Sequence, residues 1–534
     1  MRCTALILAI WMMTPTLSLA AQKAKKPAAR PMPARTSQPS TSNNNSGSGA
    51  GMKEWENARR LFTSQNFKQA AVSFYQISKR SPDMKLRRKA KFYLGVSLYK
   101  MGLKQVASFP FVDLVRTGEG VEKQKALDYI VMIADDLGEP SLLNYSLNHI
   151  RPDDLSEVAK VIFLGRLGEA AIAKGDVNMA ENYFEKALLL KKNENSLLYN
   201  LGLGDLMAKN PDRAATRFAQ LSERLQDRPL PDLQRGLALL GQARSLYQAK
   251  KWRESAELYR QIPKDHPLYR QSLMELSWAL FRGGQFRSAL SPLRTLHTPF
   301  YENFYDPESL LLHGTILLFI CHYEEIETIS RAFDTNYYPA FSKIQEWLNS
   351  TRNEADYYLE VAKTRRALME MKAKGESSLD TILPFFVMRT LLEEPDIRIL
   401  AEYMDKLAKE KKVLEKIYGK TSLLAYGNQI LEGRKRATQR QLGNVVKGRL
   451  VAKVQEFNEF ATQIEFLRYE SINGQRTALK EKIATNTPDK PQIDQEISRD
   501  YYVQNGFQFW PFEGEYWRDE IGNYQNVGVN RCEK

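Results

Sequence analysis

The 534-residue sequence predicts an all-α protein made of helix pairs stacked one after another, followed by further helices and a short aromatic tail. Three observations carry this. Apolar residues recur at spacings of three and four along most of the chain after residue 53, the period of a helix with one buried face. Small and aromatic residues recur at near-constant intervals of about 34 positions, the mark of an internal repeat. Apolar residues make up 43% and charged residues 26%, the balance of a folded chain with cores to bury.

The first elements are not part of that fold. Arg2 is followed by an apolar run from Ala5 to Met13, then Thr14-Pro15 and the small-residue site Ser18-Leu19-Ala20. This is the order of a secretory signal peptide, residues 1–20, cleaved after Ala20. The run is too short to span a bilayer, and the only leader cysteine, Cys3, is not at the cleavage point, so no lipid anchor is expected. Residues 21–52 are low-complexity. They carry Lys23, Lys25, Lys26, Arg30 and Arg35 with no acid before Glu54, then end in the polar tract Ser40–Gly51. Such a segment buries no core and reads as a tether. Its lysines could also contact anionic envelope polymer or lipid headgroups. Part of the formal charge of +14 therefore lies outside the folded part. No element interleaves basic and aromatic residues densely enough to suggest nucleic-acid binding. No later stretch reaches the length of a membrane span, since Leu310–Cys321 is interrupted by His313 and Gly314.

The repeats occupy residues 53–348. Ala58 and Leu61 precede Ala70, Phe74, Ile77 and Pro82; Leu94-Gly95 and Leu98 precede Ala107, Phe111 and Leu114. Leu167-Gly168 and Ala171 lead to Ala180, Phe184 and Ala187; Leu201-Gly202 leads to Ala214, Phe218 and Leu221. Ala243 and Leu246 lead to Ser255, Tyr259, Ile262 and Pro267; Leu276-Ser277 and Leu280 lead to Ala289, Leu293 and Leu296. Weaker units run through Tyr129–His149 and through Gly314, Leu317 and Ile326. Small residues let two helices approach closely, aromatics fill the space between successive units, and a proline cannot continue the second helix.

This pattern resembles the tetratricopeptide repeat (TPR). The resemblance implies a superhelical solenoid that holds other proteins in a groove lined by its first (A) helices. Carried over position by position, the groove set is Trp55, Arg59, Phe92, Tyr99, Lys100, Tyr199, Arg244, Tyr247, Trp278, Phe281 and Arg282. Aromatics alternating with cations suit an extended peptide with acidic side chains or a free carboxylate. The same aromatics could instead pack between helices.

Residues 349–485 form a C-terminal helical region. Amphipathic stretches at Asp356–Lys372 and Ile397–Tyr418 are broken near Gly375 and Pro384. A basic stretch, 434–484, spaces Leu442, Val445, Val446, Leu450, Val454, Phe457 and Phe460 as a helix face, either a cap over the last repeat or a coiled-coil surface. Residues 486–534 are linker and tail. Trp510, Phe512, Tyr516 and Trp517 are the candidate anchors, with a hairpin expected around Phe512–Gly514 and Tyr516 to Tyr524 returning. The tail either docks on the chain's own C-terminal helices or anchors a partner. A tail of this kind after TPR units and a basic helix is similar to TPR proteins of delta-proteobacterial gliding-motility and envelope machinery.

Motifs for chemistry are weak. Gly419-Lys420-Thr421-Ser422 copies the end of a phosphate-binding loop, but Leu414 stands where its first glycine belongs. Gly202-Leu203-Gly204 lacks a preceding strand. The five histidines, 149, 266, 297, 313 and 322, show no metal-ligand spacing. Glu470-Ser471 invites comparison with lytic enzymes that join a superhelix to a catalytic Glu-Ser, but the downstream Gly-Leu-Met-Gln element is missing. Cys321 and Cys532 could pair in an oxidising compartment; the position of Cys321 in an apolar run reads more simply as a buried core thiol. No catalytic, cofactor-binding or metal-binding residues are assigned. The expectation is an exported, periplasmic, non-enzymatic scaffold for other envelope proteins, with peptidoglycan or outer-membrane components as further candidates. The alternative is a peptidoglycan-binding or glycan-cleaving protein.

Overall fold

The structure, a computed structural model of the full chain, describes residues 47–117, 120–191, 194–229, 232–350, 352–374, 381–419, 421–485, 506, 508, 515–526 and 530–532. Among these residues there are α-helices and two short 3-10 turns and no strand. The helices are α1 (Gly47–Thr63), α2 (Phe67–Arg80), α3 (Met84–Lys100), α4 (Lys104–Thr117), α5 (Val121–Leu137), α6 (Pro140–His149), α7 (Glu157–Ala173), α8 (Val177–Leu190), α9 (Asn195–Met207), α10 (Pro211–Arg224), α11 (Leu233–Gln248), α12 (Trp252–Tyr259), α13 (Tyr269–Arg282), α14 (Phe286–Leu296), α15 (Pro307–Phe319) and α16 (Tyr323–Asn349). The C-terminal helices follow as α17 (Glu354–Lys374), α18 (Phe385–Glu393), α19 (Pro395–Tyr418) and α20 (Ser422–Thr485).

From α1 to α16 the odd-numbered helices are the first (A) and the even-numbered the second (B) of each pair, and the turn between A and B is built the same way each time. One residue takes a left-handed backbone conformation: Gln65, Gly102, Gly138, Gly175, Lys209, Lys250, Gly284 and Cys321 in order. In six of these turns the following residue then donates its N–H to the carbonyl five residues back, as in Asn66 to Leu61, Leu103 to Leu98, Asp176 to Ala171 and Gln285 to Leu280. That bond satisfies a helix-end carbonyl and reverses the chain. Side chains cap several of the following helices: Asn66, Asp83, Asp176 and Asp232 each accept an N–H of the first turn.

Within a pair, a small residue on the A helix faces a large one sixteen residues on. A Cβ on Gly95 would lie 2.7 Å from the Phe111 ring, and one on Gly168 would lie 2.4 Å from Phe184. No side chain larger than hydrogen fits at either glycine, so the ring plugs the gap that the glycine leaves. Both rings are fully buried.

The chain divides into two compact units. Of the described residues, unit 1 comprises those up to 208 with those of 406–431, and unit 2 comprises those of 209–405 with those from 432 onward. In unit 1, α19 caps two repeat helices at once. Glu410 accepts the Gln105 and Val106 N–H groups at the start of α4 at 2.9 and 2.8 Å, and Lys406 donates to the Asp136 and Leu137 carbonyls at the end of α5. A carboxylate at a helix N-terminus and an ammonium at a C-terminus both oppose the helix dipole favourably. In unit 2, α20 covers α16. Phe457 stacks on Phe341 at 4.2 Å and on Phe333 at 5.6 Å, and Leu442, Val446 and Leu450 are buried. The same helix passes so close to α17 that a Cβ on Gly443 would meet the Glu354 backbone at 1.9 Å.

Two expectations for the C-terminus need correction. Cys321 is not a core thiol. It occupies the left-handed turn position between α15 and α16, half-exposed, and is disulfide-bonded to Cys532. A turn position faces outward, where an apolar run read as one helix would have buried it. The described tail does dock on the chain itself, but on the helix pairs from α13 to α15, not on the C-terminal helices. Asn526 donates to Ser291 Oγ at 3.0 Å, Arg531 donates to the Ile320 carbonyl at 3.0 Å, and Gly522 lies against the Tyr269 hydroxyl. The disulfide and these backbone bonds fix its course. Tyr516 to Tyr524 does fold back, with the Tyr524 hydroxyl bonded to both the N–H and the carbonyl of Trp517 at 2.9 Å. Phe512–Gly514, the expected hairpin centre, and Trp510 lie outside the described residues.

Candidate functional site

The A helices are tied to one another by a polar ladder at a spacing of about thirty residues. In unit 1, Arg166 on α7 pairs with Asp135 on α5 at 2.6 Å, and Asn200 on α9 donates to Glu169 on α7. In unit 2, Arg244 on α11 makes a bidentate pair with Glu275 on α13 at 2.6 and 2.8 Å, and the Trp278 indole N–H donates to Glu308 on α15 at 2.9 Å. The recurring separation follows from the repeat length, which sets equivalent faces of successive A helices side by side.

The predicted groove residues fall into three groups. Phe92, Tyr247, Trp278 and Phe281 are buried and serve packing: Tyr247 meets Trp252 edge-on at 4.7 Å, and Phe281 packs on Trp278, Phe286 and Phe319. Burial also pushes the Tyr247 phenol above its ordinary range. Trp55, Tyr99 and Tyr199 are half-buried, and Arg244 is held by Glu275. Arg59, Lys100 and Arg282 are exposed, with Arg282 over the Trp252 ring at 5.3 Å.

Unit 1 retains an open cleft of about 370 Å³ on its A helices. Phe62 on α1, Phe92 and Tyr93 on α3, and Tyr129 and Met132 on α5 form its walls, with Lys125 at the rim. Tyr93 meets Phe62 edge-on at 5.1 Å and Trp55 at 5.5 Å; Tyr129 stacks on Phe111 at 4.8 Å and meets Tyr99 at 5.3 Å. Burial, and secondly the neighbouring Tyr99, push the Tyr129 phenol up. Lys125 is exposed and has no ionic partner among the described residues, whereas Asp128 beside it accepts the Ser156 N–H at 2.9 Å. Of the cleft's aromatics the repeat pattern predicts Phe92 and misses Phe62, Tyr93 and Tyr129. A 37-residue recurrence, Trp55 to Phe92 to Tyr129, was the signal that could have found one of them.

The fragments that suggested chemistry have structural roles. Gly419 has a left-handed backbone, and Thr421 Oγ1 accepts the Leu424 N–H to start α20; Lys420 lies outside the described residues. Ser471 beside Glu470 donates to the Tyr323 carbonyl at 2.8 Å, which fastens α20 to α16. Buried His313 stacks on half-buried His297 at 5.3 Å, and desolvation pulls His297 down to about 4. His266 fills the space above Gly236, and His149 stacks on Tyr145. No helix among the described residues is long and apolar enough to cross a membrane.

Helix pairs with a plugged A/B contact, a left-handed turn and a laddered A face define a helical-repeat interaction fold. The chain carries a tetratricopeptide repeat: the family model so described matches residues 237–268, which span most of α11, all of α12 and the turn after it. No curated protein matches the sequence. Among solved structures, a tetratricopeptide repeat protein from Parabacteroides merdae ATCC 43184 is similar at 14% identity, with 54% of this chain and 94% of that chain covered and a TM-score of 0.26. A Rap protein in complex with Competence and Sporulation Factor is 12% identical over 74% of this chain and 99% of its own, with a TM-score of 0.29. The apo form of RapI is 12% identical over 67% and 99%, with a TM-score of 0.34.

Proposed function

We propose that this protein is an exported, non-enzymatic scaffold that holds an extended, acidic peptide segment of a cell-envelope partner in the aromatic cleft of unit 1. The observation that carries the reading is the cleft itself. Its walls offer ring faces and edges from three successive A helices, and its one free cation, among the described lining residues, is Lys125. Rings give contact area at small entropic cost, and a lysine at the rim selects an acid without having to be desolvated. Export is supported by the leader at residues 1–20 and by the cysteine pair, which is stable in an oxidising compartment and rare in a reducing one. A role in envelope assembly or motility rests on the resemblance of the tail and repeats alone.

A photo-crosslinking residue at Met132 tests the cleft, with one at Glu254 on the α12 surface of unit 2 as control. The expected result is capture of a defined envelope protein through an acidic segment from the cleft position only, reduced at least about tenfold by Lys125→Glu. Equal capture from both positions overturns the cleft assignment. N-terminal sequencing of the mature protein is expected to begin at Ala21; recovery of Met1 from the cytoplasm overturns export.

A further inference from the structure

The last four turns of α20 carry two apolar faces, and only one is packed against other described residues. The packed face holds Leu467, Ser471 and Gly474. Gly474 is so close to the Tyr323 ring that a Cβ would lie 2.4 Å away, Leu467 lies against Gly314, and Arg468 pairs with Asp334. On the other side Tyr469, Ile472, Leu479 and Ile483 are 61%, 64%, 58% and 78% exposed. With Arg476 between them, their spacing is three, four, three, four: a strict a/d heptad seam. At about 100° per residue this seam points roughly opposite to the packed face. Isolated exposed apolar residues need no explanation, but four in register on one rigid helix do.

We infer that this seam is a docking surface for an amphipathic helix with acidic flanks, contributed by a partner protein. Its width and its charge select that occupant. A two-residue-per-heptad seam is the narrow stripe of a coiled coil, whereas a helix lying in a bilayer surface presents a broad apolar arc. The cations on and beside the seam, Arg476 and Lys480, are exposed and have no ionic partner among the described residues. Of the nearby acids, Glu465 is paired with Arg468, and Glu470 and Glu481 sit toward the packed side of the helix. A second copy of the chain in parallel register would set Arg476 against Arg476. An acidic helix instead pairs Glu with both cations and buries the four apolar side chains. The surface belongs to unit 2 and is independent of the cleft in unit 1.

The test uses the full mature chain and two synthetic 28-residue helices, both with Ile at a and Leu at d, one flanked by Glu and one by Lys. Fluorescence anisotropy should show the Glu-flanked helix binding at least about tenfold more tightly than the Lys-flanked one. Ile472→Glu with Leu479→Glu should abolish binding while leaving the melting temperature unchanged. Arg476→Glu with Lys480→Glu should reverse the preference, a result that a merely damaged fold cannot produce. The inference is overturned if the two helices bind equally or if the charge-reversed variant keeps the original preference. It is also overturned if the seam variants change instead the sedimentation of a self-associated chain, or instead the binding to phosphatidylglycerol–phosphatidylethanolamine vesicles.

Discussion

Unit 1 and unit 2 are made from the same helix pairs, with the same left-handed turns and the same polar ladder between A helices, yet their A faces end differently. In unit 1 the C-terminal elements touch the ends of α4 and α5 through Glu410 and Lys406, and Tyr426 packs on Tyr75 at 5.2 Å. The aromatic face between α1, α3 and α5 stays open. In unit 2 the corresponding space is filled. Asp306 and Glu308 are half-buried beside Arg270 and Trp278, and Lys453 of α20 lies over the Tyr305 ring at 5.2 Å. Burial holds the Glu308 carboxyl at about 7, well above the usual carboxylate range, with the Trp278 N–H opposing that shift. A repeat face becomes groove or core according to what the chain lays against it. A buried face must then satisfy its charges internally, which unit 2 does with fixed pairs.

The comparison can be broken at four places. The largest effect is expected from Cys532→Ser. The bond closes a loop of 211 residues that holds most of unit 2 and the 406–431 segment of unit 1, so its loss should cost unit 2 about 4 kcal/mol and unit 1 less. Denaturation followed by hydrogen exchange in each unit checks this, and equal loss in both units would count against independent units.

Gly168→Leu strikes unit 1 in turn. The Phe184 ring lies only 2.4 Å from where a Cβ at this position would stand, so overpacking should cost about 3 kcal/mol, read as a lower melting transition. An unchanged transition would contradict the repeat register.

Glu308→Gln sharpens the contrast in burial. Because the folded-state pKa of Glu308 lies above its unfolded value, the folded unit retains a proton that the unfolded chain has shed between about pH 4.5 and 7. Its contribution therefore favours folding below that window and is lost as the pH rises through it. Glutamine keeps an acceptor for Trp278 and cannot ionise. The variant should be more stable than the parent by about 2 kcal/mol at pH 8 and indistinguishable at pH 4.5, measured by urea denaturation. The same gain at both pH values would exclude titration as the cause.

Glu410→Ala should cost unit 1 about 1 kcal/mol, because the Gln105 and Val106 N–H groups lose their acceptor. Faster amide exchange confined to the first turn of α4 is the expected signature.

The helix pairs were legible because each repeat states its own contacts locally. Gly168 and Gly95 were legible as positions that must stay small, but the sequence reading set the aromatics between successive units, and the structure sets Phe184 and Phe111 against the glycine of their own pair. The apolar line of Leu442, Val446, Leu450 and Phe457 showed that α20 had a face to bury but left open whether it capped the last repeat or met another helix. The cleft was only partly legible. Residue type says that Trp278 and Tyr129 are aromatic, but whether a ring is wall or core depends on neighbours far along the chain.

The sequence alone determined the helical repeat and the positions that must stay small, both of which rest on interactions within about forty residues. Tertiary structure alone decided that Cys321 meets Cys532, that the tail lies on α13 to α15, and that Glu410 caps α4 from 304 residues away. It also decided which face of α20 is buried against α16 and which is left to solvent. These contacts join segments whose separation carries no periodic signal, because a long loop closes at a cost that hardly depends on its length, and many alternative partners are nearly equal until packing selects one.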